Sequence, residues 1–173
     1  MREPWSNGGK EDHGHQVSRT TNAVPIWAVI VTPLLSIIGL GLSIYLTVAH
    51  FEGTQILACS TKGIVDCATV TTSPQSNFLG VPVVFLGLGY FVAMCALNSP
   101  WAWRATAYWL HVTRLVLAAA AMVFVLWLVY AELMIINHIC LFCTEVHIVS
   151  FLLLIVLTLV SPAQLGWVRS RSQ

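Results

Sequence analysis

The chain has 173 residues, of which 57% are hydrophobic and 9% are charged. A soluble globular protein carries roughly 25% charged residues, so this composition argues against a soluble domain. The formal net charge is +1. A chain so close to neutral has no broad basic surface, and the sequence therefore predicts no nucleic-acid partner.

Four long stretches of the sequence contain no charged residue. They run from Arg19 to Glu52, Asp66 to Arg104, Arg114 to Glu132, and Glu145 to Arg169. A membrane-spanning helix needs about 20 apolar residues, so each stretch holds one span. The predicted fold is an all-α membrane protein with a four-transmembrane-helix bundle. The predicted spans are Pro25–Ala49, Phe78–Leu97, Leu110–Ala131 and Cys140–Val160.

The first predicted element is a polar tail of residues 1–24, whose composition is typical of disordered segments. Lys and Arg mark the cytoplasmic side of short connections. Seven of the eight basic residues lie in the two tails and the connection between the second and third spans. Only Lys62 lies in a connection on the other side. We therefore predict cytoplasmic termini, including a basic tail at 161–173, and an outward-facing loop at Phe51–Asn77.

The predicted outer loop contains Cys59 and Cys67. The outer face of a bacterial plasma membrane is oxidising, and disulfides persist there. A pair eight residues apart can be a structural staple, as in four-span adhesion proteins, or part of a thiol relay. The second span follows with Cys95, which we interpret as a packing residue because free cysteine behaves as a small apolar side chain.

The last predicted span opens with Cys140-Leu-Phe-Cys143. The first N–H groups and the dipole of a helix stabilise negative charge, so this position favours thiolate. A thiolate is the form that attacks disulfides. A bridge over two residues closes too small a loop to stabilise a fold much, so chemistry explains this pair better than stapling. A zinc site that adds Cys59, Cys67 and His138 fits poorly with the usual ligand spacing.

An ordered set of four features, spread over about Ile26–Val160, resembles the bacterial branch of the vitamin K epoxide reductase family. The features are Cys59-x7-Cys67, then Ser73, the stretch Ser76-Asn77-Phe78-Leu79-Gly80-Val81-Pro82 entering the second helix, and Cys140-x-x-Cys143 opening the last helix. The DsbB disulfide oxidases also have four spans and two outer cysteine pairs. Their Cys-x-x-Cys lies in the first outer connection, so the order here favours the vitamin K epoxide reductase type.

The resemblance implies a thiol–quinone oxidoreductase with four catalytic cysteines. Cys59 would be attacked by a partner's thiolate, Cys67 would pass electrons on through a transient Cys67–Cys140 bridge, and Cys143 would face the quinone. Some relatives carry a fused thioredoxin-like domain; here the resemblance implies a separate DsbA-like thioredoxin-fold partner. Menaquinone or ubiquinone is the expected substrate. A disulfide requires Cα atoms about 4.4–6.8 Å apart, so the outer loop must cap the mouth of the last helix.

The remaining site predictions concern polar residues near the quinone. We predict quinone contacts from four side chains: Ser73, Ser76, Asn77 and His147. Glu145 is the predicted proton relay, because ionisable groups at membrane depth are costly and are functional candidates. No metal is predicted. Two other interpretations stay open at this point, a structural or adhesion four-span protein with stapling disulfides and a small metal carrier.

Overall fold

A computed structural model describes residues 25–53, 59, 63–105 and 108–164. The predicted N-terminal tail, Lys62 and the part of the predicted C-terminal tail beyond residue 164 lie outside these ranges. The elements follow in chain order: α1 (Ile26–Glu52), α2 (Cys67–Thr72), β1 (Asn77–Phe78), β2 (Val81–Pro82), α3 (Val83–Leu97), α4 (Pro100–Arg104), α5 (Tyr108–Tyr130) and α6 (Leu141–Gln164). A 3₁₀ turn at Pro74–Ser76 precedes β1, and a π-helical turn at Ala131–Ile136 extends α5.

Three segments of the described chain are long and apolar enough to cross a membrane. They are Ile26–Glu52, Tyr108–Ile136 and Leu141–Pro162. Their lipid-facing sides are covered with large exposed apolar side chains, which water would not tolerate on this scale. The helical, membrane-embedded character predicted from the composition is therefore confirmed. The last helix also runs past the predicted end at Val160, since α6 continues to Gln164.

The second predicted span, Phe78–Leu97, is wrong at its N-terminal end. Only Val83–Leu97 is helical, and these 15 residues rise about 22 Å along the helix axis. The preceding residues form an antiparallel hairpin that pairs Asn77 with Pro82 and Phe78 with Val81. Leu79 and Gly80 turn the chain with positive φ, which a continuous helix does not allow. Apolarity alone did not reveal this turn.

Helix α1 packs against α3 and α6 through a face of small residues. Its buried positions are Ala28, Thr32, Ser36, Gly39, Ser43, Leu46 and Ala49. Small side chains let helix backbones approach closely, and this is the usual basis of helix packing in lipid. The contact is tightest at Gly39, where any Cβ would overlap the ring of the fully buried Phe91 in α3.

Polar contacts join the helices at the end where α4 lies. The Asn98 amide donates to the Ser36 hydroxyl over 3.1 Å, and the Trp103 indole N–H donates to the Thr32 hydroxyl over 3.2 Å. Arg114 is 1% exposed. The guanidinium is therefore enclosed by neighbouring elements and does not reach outward.

A second buried cluster lies near the other end of the helices. It consists of Leu46, Ala49, Cys67, Val70 and Cys140, with Cys59 and Cys143 packed against it. The cluster joins the end of α1, the short α2 and the start of α6. All four cysteines of the two predicted pairs therefore meet in one small region of the molecule.

Candidate active site

A short parallel bridge holds the segment before α2 against the segment before α6. Val65 pairs with Ile139, the Asp66 N–H donates to the Ile139 carbonyl over 3.2 Å, and the Ile139 N–H donates to the Ile64 carbonyl over 2.9 Å. Parallel pairing keeps the two segments in step, so the residues that follow the bridge also run side by side. Cys67 and Cys140 follow this bridge closely in their respective segments.

Helix α2 begins at Cys67 because Asp66 caps it. The Asp66 carboxylate accepts hydrogen bonds from the Thr69 N–H at 3.1 Å and from the Thr69 hydroxyl at 2.7 Å. Aspartate is a preferred N-cap residue because its side chain satisfies N–H groups that the helix leaves unpaired. The same bonds, with the Thr69 hydroxyl contributing most, lower the pKa of Asp66 below its ordinary value of 3.8.

Cys59 and Cys67 form a disulfide, with Cα atoms 6.0 Å apart. The two cysteines differ in access: Cys67 is fully buried, whereas Cys59 is partly exposed. A soluble thiol would therefore reach the sulfur of Cys59 first. Cys67 faces inward, toward the cluster that contains Cys140.

Cys140 occupies the position before the first residue of α6 and caps this helix with its sulfur. The Cys143 backbone N–H donates to the Cys140 Sγ over 3.4 Å, and the Cys140 carbonyl accepts from the Thr144 N–H over 2.9 Å. Cys140 is fully buried and Cys143 is partly buried, and both are free thiols. This geometry agrees with the expectation that the pair lies at the positive end of a helix.

A largely apolar pocket opens beside Cys143. It encloses about 680 Å³ of empty space including its open mouth. Its apolar wall includes Leu46, Val70, Val84, Leu128 and Ile136. Its polar lining comprises His50, Thr71, Ser73, Gln75, Ser76, Glu132 and His147. An apolar cleft with a few polar groups is the usual form of a small-molecule site.

The profile of the vitamin K epoxide reductase family matches residues 30–158 of the chain. The matched region runs from the first turns of α1 almost to the end of α6 and covers well over half of the sequence. The chain belongs to the vitamin K epoxide reductase family. This confirms the resemblance seen in the cysteine pattern, and it implies oxidoreductase activity at a membrane. A search of curated proteins finds no match for the chain.

Three of the four polar residues predicted to contact quinone line the pocket of this vitamin K epoxide reductase homologue. They are Ser73, Ser76 and His147. The Ser73 hydroxyl donates to the Val70 carbonyl over 2.8 Å, and the Ser76 hydroxyl donates to the Ser73 carbonyl over 2.6 Å. Since each hydroxyl has a single proton, neither serine can donate to a ligand in this arrangement. His147, which is buried, retains a ring N–H for that purpose.

The other two predicted residues lie elsewhere. Asn77 is exposed and lines a separate pocket together with His50 and Ser76. Glu145 is exposed on α6 and does not belong to the described lining of the pocket beside Cys143. The structure therefore brings the four cysteines, both serines and His147 together, and it leaves Asn77 and Glu145 outside this group.

Glu132 is a site residue that the sequence interpretation missed. It is buried in the π-helical turn, lines the pocket beside Cys143, and also lines a second apolar cavity between α5 and α6 together with His147. π-Helical turns inside helices are rare and frequently occur at functional sites. The sequence signal was the acidic residue that closes the third charge-free stretch, which we had interpreted only as a boundary.

Proposed function

We propose that this family member oxidises a separate DsbA-like thioredoxin-fold protein and transfers the electrons to a quinone, and so supports disulfide-bond formation. The observation that carries the proposal is the burial of Cys67 and Cys140 in one cluster, with Cys59 on the exposed side and Cys143 at the pocket. Stapling disulfides need no such ordered path. A relay needs an outer entry, an inner exchange pair and a substrate pocket.

The relay consists of thiol–disulfide exchanges that conserve electrons. A partner thiolate attacks Cys59, Cys67 leaves as thiolate, and the second thiol of the partner closes the partner's own disulfide. Cys67 then attacks Cys140 of an oxidised Cys140–Cys143 pair, and Cys143 leaves as thiolate. Cys59 then attacks Cys67 of the Cys67–Cys140 bridge, which restores the outer disulfide and releases Cys140 as thiolate. The net result is that two electrons and two protons move from the partner to the inner pair.

The last step returns the inner pair to its disulfide and passes two electrons and two protons to the quinone. The apolar wall of the pocket suits a quinone ring, and the carbonyl oxygens of a quinone need hydrogen-bond donors. His147 and a protonated Glu132 line the pocket and can donate, whereas Ser73 and Ser76 donate elsewhere. We propose Glu132 as the proton source and keep Glu145 as a candidate to be tested against it. Asn77 stays a candidate for contact with the quinone. Menaquinone and ubiquinone both fit this chemistry.

The same proposal includes a membrane arrangement. The bridge to Ile139 supports a capping role for the outer loop, and four helices cross the plasma membrane if α3 spans together with its hairpin. The charge pattern supports cytoplasmic termini and an active site on the periplasmic face. Residues 25–160 would form the catalytic domain between the N-terminal tail, residues 1–24, and the basic tail, residues 161–173.

The test is a trapping experiment with Cys143→Ala. Without Cys143, the inner pair cannot form a disulfide, so quinone-dependent oxidation of a DsbA-like partner should be lost. Cys140 can still attack Cys67, which should produce a Cys67–Cys140 bridge and release the Cys59 thiol. Mass spectrometry after thiol alkylation detects both. Cys95→Ala is the matched control, because Cys95 lies in α3 outside the described site, and it should retain activity.

Full activity in Cys143→Ala would refute the relay. Unchanged Cys59–Cys67 and Cys140–Cys143 pairs that never exchange, even with a reduced partner present, would favour stapling disulfides. Absorption by quinone copurified with the wild-type protein would identify the substrate class directly.

A further inference from the structure

The end of the molecule remote from the cysteines contains an incompletely paired cation. The Nε of Arg114 donates to the Leu97 carbonyl over 2.8 Å, and one terminal nitrogen lies 2.9 Å from His111 Nδ1. The guanidinium carbon lies 4.1 Å from the centroid of the Trp103 ring. The Leu97 carbonyl and the Trp103 ring carry no charge, and His111 must be neutral to accept a hydrogen bond at Nδ1. None of the three therefore supplies a counter-charge. The second terminal nitrogen, Nη2, has no partner within the described part of the chain.

Burying the Arg114 guanidinium without a full set of partners costs folding free energy when no ligand is bound. A buried charge requires a counter-charge or a full set of hydrogen bonds, and Arg114 has 1% exposure with one nitrogen unsatisfied. None of the redox chemistry proposed above uses this residue. The unsatisfied nitrogen therefore points to a ligand that supplies oxygen atoms and negative charge.

Arg114 lines a pocket where α4, α5 and α6 meet, with about 240 Å³ of empty space including its open mouth. The polar part of its wall is formed by Arg114, His111 and Ser161, and the apolar part by Leu115, Leu157 and Val160. Because His111 Nδ1 accepts from the guanidinium, the proton of neutral His111 lies on Nε2. The pocket thus offers a cation, a ring N–H and a hydroxyl beside apolar side chains.

The depth of the pocket indicates what an anion there would be attached to. Trp101, Tyr108 and Trp109 are strongly exposed on the adjoining α4 and α5, as expected for aromatic residues at a membrane interface. Lipid phosphates are abundant at this level, and basic pockets between helices are known to bind anionic headgroups. The apolar wall suits the glycerol and acyl part of a lipid.

We propose that Arg114, His111 and Ser161 form a binding site for a phosphate group, carried by an anionic phospholipid or free in solution. The bound phosphate accepts hydrogen bonds from Arg114 Nη2 and His111 Nε2 and neutralises the guanidinium. A ligand that binds only the folded state stabilises it, so occupancy raises the midpoint of thermal unfolding.

The experiment measures thermal unfolding of the purified full-length protein in a nonionic detergent. Phosphatidylglycerol, diacylglycerol, which lacks phosphate, and inorganic phosphate are added separately. Phosphatidylglycerol should raise the midpoint and diacylglycerol should not. A matching rise with inorganic phosphate would show that the free anion is sufficient, and its absence would show that the lipid is required.

Two variants separate the site from general surface effects. Arg114→Gln should lose the rise, whereas Arg104→Gln, which removes an exposed charge on α4, should retain it. Ser161→Phe keeps the guanidinium but fills the pocket from its partly exposed side, so it should also lose the rise. If Arg114→Gln fails to fold, Ser161→Phe tests the binding site in its place.

Three results would overturn the proposal. The first is the absence of any rise in the wild type, and the second is an equal rise in Ser161→Phe. The third concerns the acidic residues of the N-terminal tail, Glu3, Glu11 and Asp12. If neutralising these three in the full chain lowers the midpoint as much as Arg114→Gln does, the counter-charge comes from the tail and not from a phosphate.

Discussion

Two glutamates compete for the proton-transfer role, and their surroundings differ. Glu132 is buried beside the pocket that also contains Cys143 and His147, whereas Glu145 is exposed one turn into α6. A proton donor must come within hydrogen-bond reach of the atom it protonates, so position decides before acidity does. On this criterion the structure favours Glu132.

Glu132→Gln should slow quinone reduction about 100-fold, in the range usual for loss of a general acid. Glutamine keeps the size and a donor but cannot release a proton. Stopped-flow measurement of quinone absorbance in the reduced enzyme tests this, with Glu145→Gln as the matched control. Thiol exchange should survive in Glu132→Gln, so the Cys67–Cys140 bridge should still form when Cys143→Ala is added. A larger loss in Glu145→Gln would assign the proton to Glu145 instead.

At the residue scale, the sequence predicted the features that depend only on residue type and spacing along the chain. Cys140 and Cys143 are recognisable because their spacing and their place at the start of an apolar stretch both carry chemical meaning. Glu132 was missed because its role depends on the π-helical turn, which turns the carboxyl group toward α6. Ser73 and Ser76 line the pocket beside Cys143, and their contact with quinone stays a prediction. The carbonyls that accept their hydroxyl protons depend on the local turn and cannot be deduced from the sequence.

At the scale of elements, α2 presents Cys67 to Cys140, and Asp66 holds the start of α2. Asp66→Ala should remove the cap and speed amide hydrogen exchange in residues 67–72 at neutral pH, since the first N–H groups lose their acceptor. Asp66→Asn should retain most of the protection because asparagine is also a good cap. Equal exchange in wild type and Asp66→Ala would contradict the capping role.

The Asp66 contribution should also depend on pH. Because its pKa is lowered in the folded state, the stabilisation is complete above the ordinary value of 3.8 and is lost as the pH falls through the lower folded value. The ratio of exchange rates between Asp66→Ala and wild type should therefore stay constant near neutrality and approach one in strong acid. A ratio that changes between pH 6 and 8 would require another titrating group.

Packing between α1 and α3 depends on the absence of a side chain at Gly39. Gly39→Ala should reduce the free energy of unfolding by about 1–3 kcal/mol, the usual cost of overpacking, because the buried Phe91 ring cannot move into open space. Gly41→Ala is the control. A Cβ there meets nothing within 4 Å, so the change should be neutral or stabilising by up to about 1 kcal/mol.

Phe91→Leu provides the second half of a double-mutant cycle. In a Phe91→Leu background, Gly39→Ala should cost less than in the wild type, because the overlapping ring atoms are gone. Equal costs in both backgrounds, measured by denaturant unfolding in detergent, would show that the α1–α3 contact is not the cause.

At the scale of the whole molecule, the sequence predicted the helical, membrane-embedded character of the chain but not the shapes of its apolar segments. Charge-free stretches report where lipid is tolerated, and they contain little information about where a helix begins. The stretch before Val83 is apolar enough to be helical, yet the positive φ at Leu79 and Gly80 folds it into a hairpin. Helix α3 at residues 83–97 is shorter than the roughly 30 Å hydrocarbon layer. If it spans the membrane, as proposed above, either the hairpin completes the crossing or the bilayer thins around it.

The predicted orientation can be tested by labelling in a background without native cysteines. Glu52→Cys lies at the exposed end of α1 near the cysteine cluster, and Arg104→Cys lies on the exposed part of α4. A membrane-impermeant maleimide should label Glu52→Cys in intact cells and Arg104→Cys only after permeabilisation. The reverse pattern would place the active site on the cytoplasmic side and would exclude a periplasmic partner.

The sulfur cap on α6 has an energetic consequence for the direction of electron flow. The cap holds most strongly when Cys140 carries negative charge, and it weakens when this sulfur is tied to another sulfur. The order of the first turn of α6 and the reduced state of Cys140 are therefore linked, and each stabilises the other. Through the 3.4 Å contact from the Cys143 N–H, the start of α6 favours negative charge on Cys140 and therefore the reduced form of the proposed inner pair. Stabilising the reduced form raises the reduction potential of that pair, which would favour electron flow from the outer pair to the inner pair.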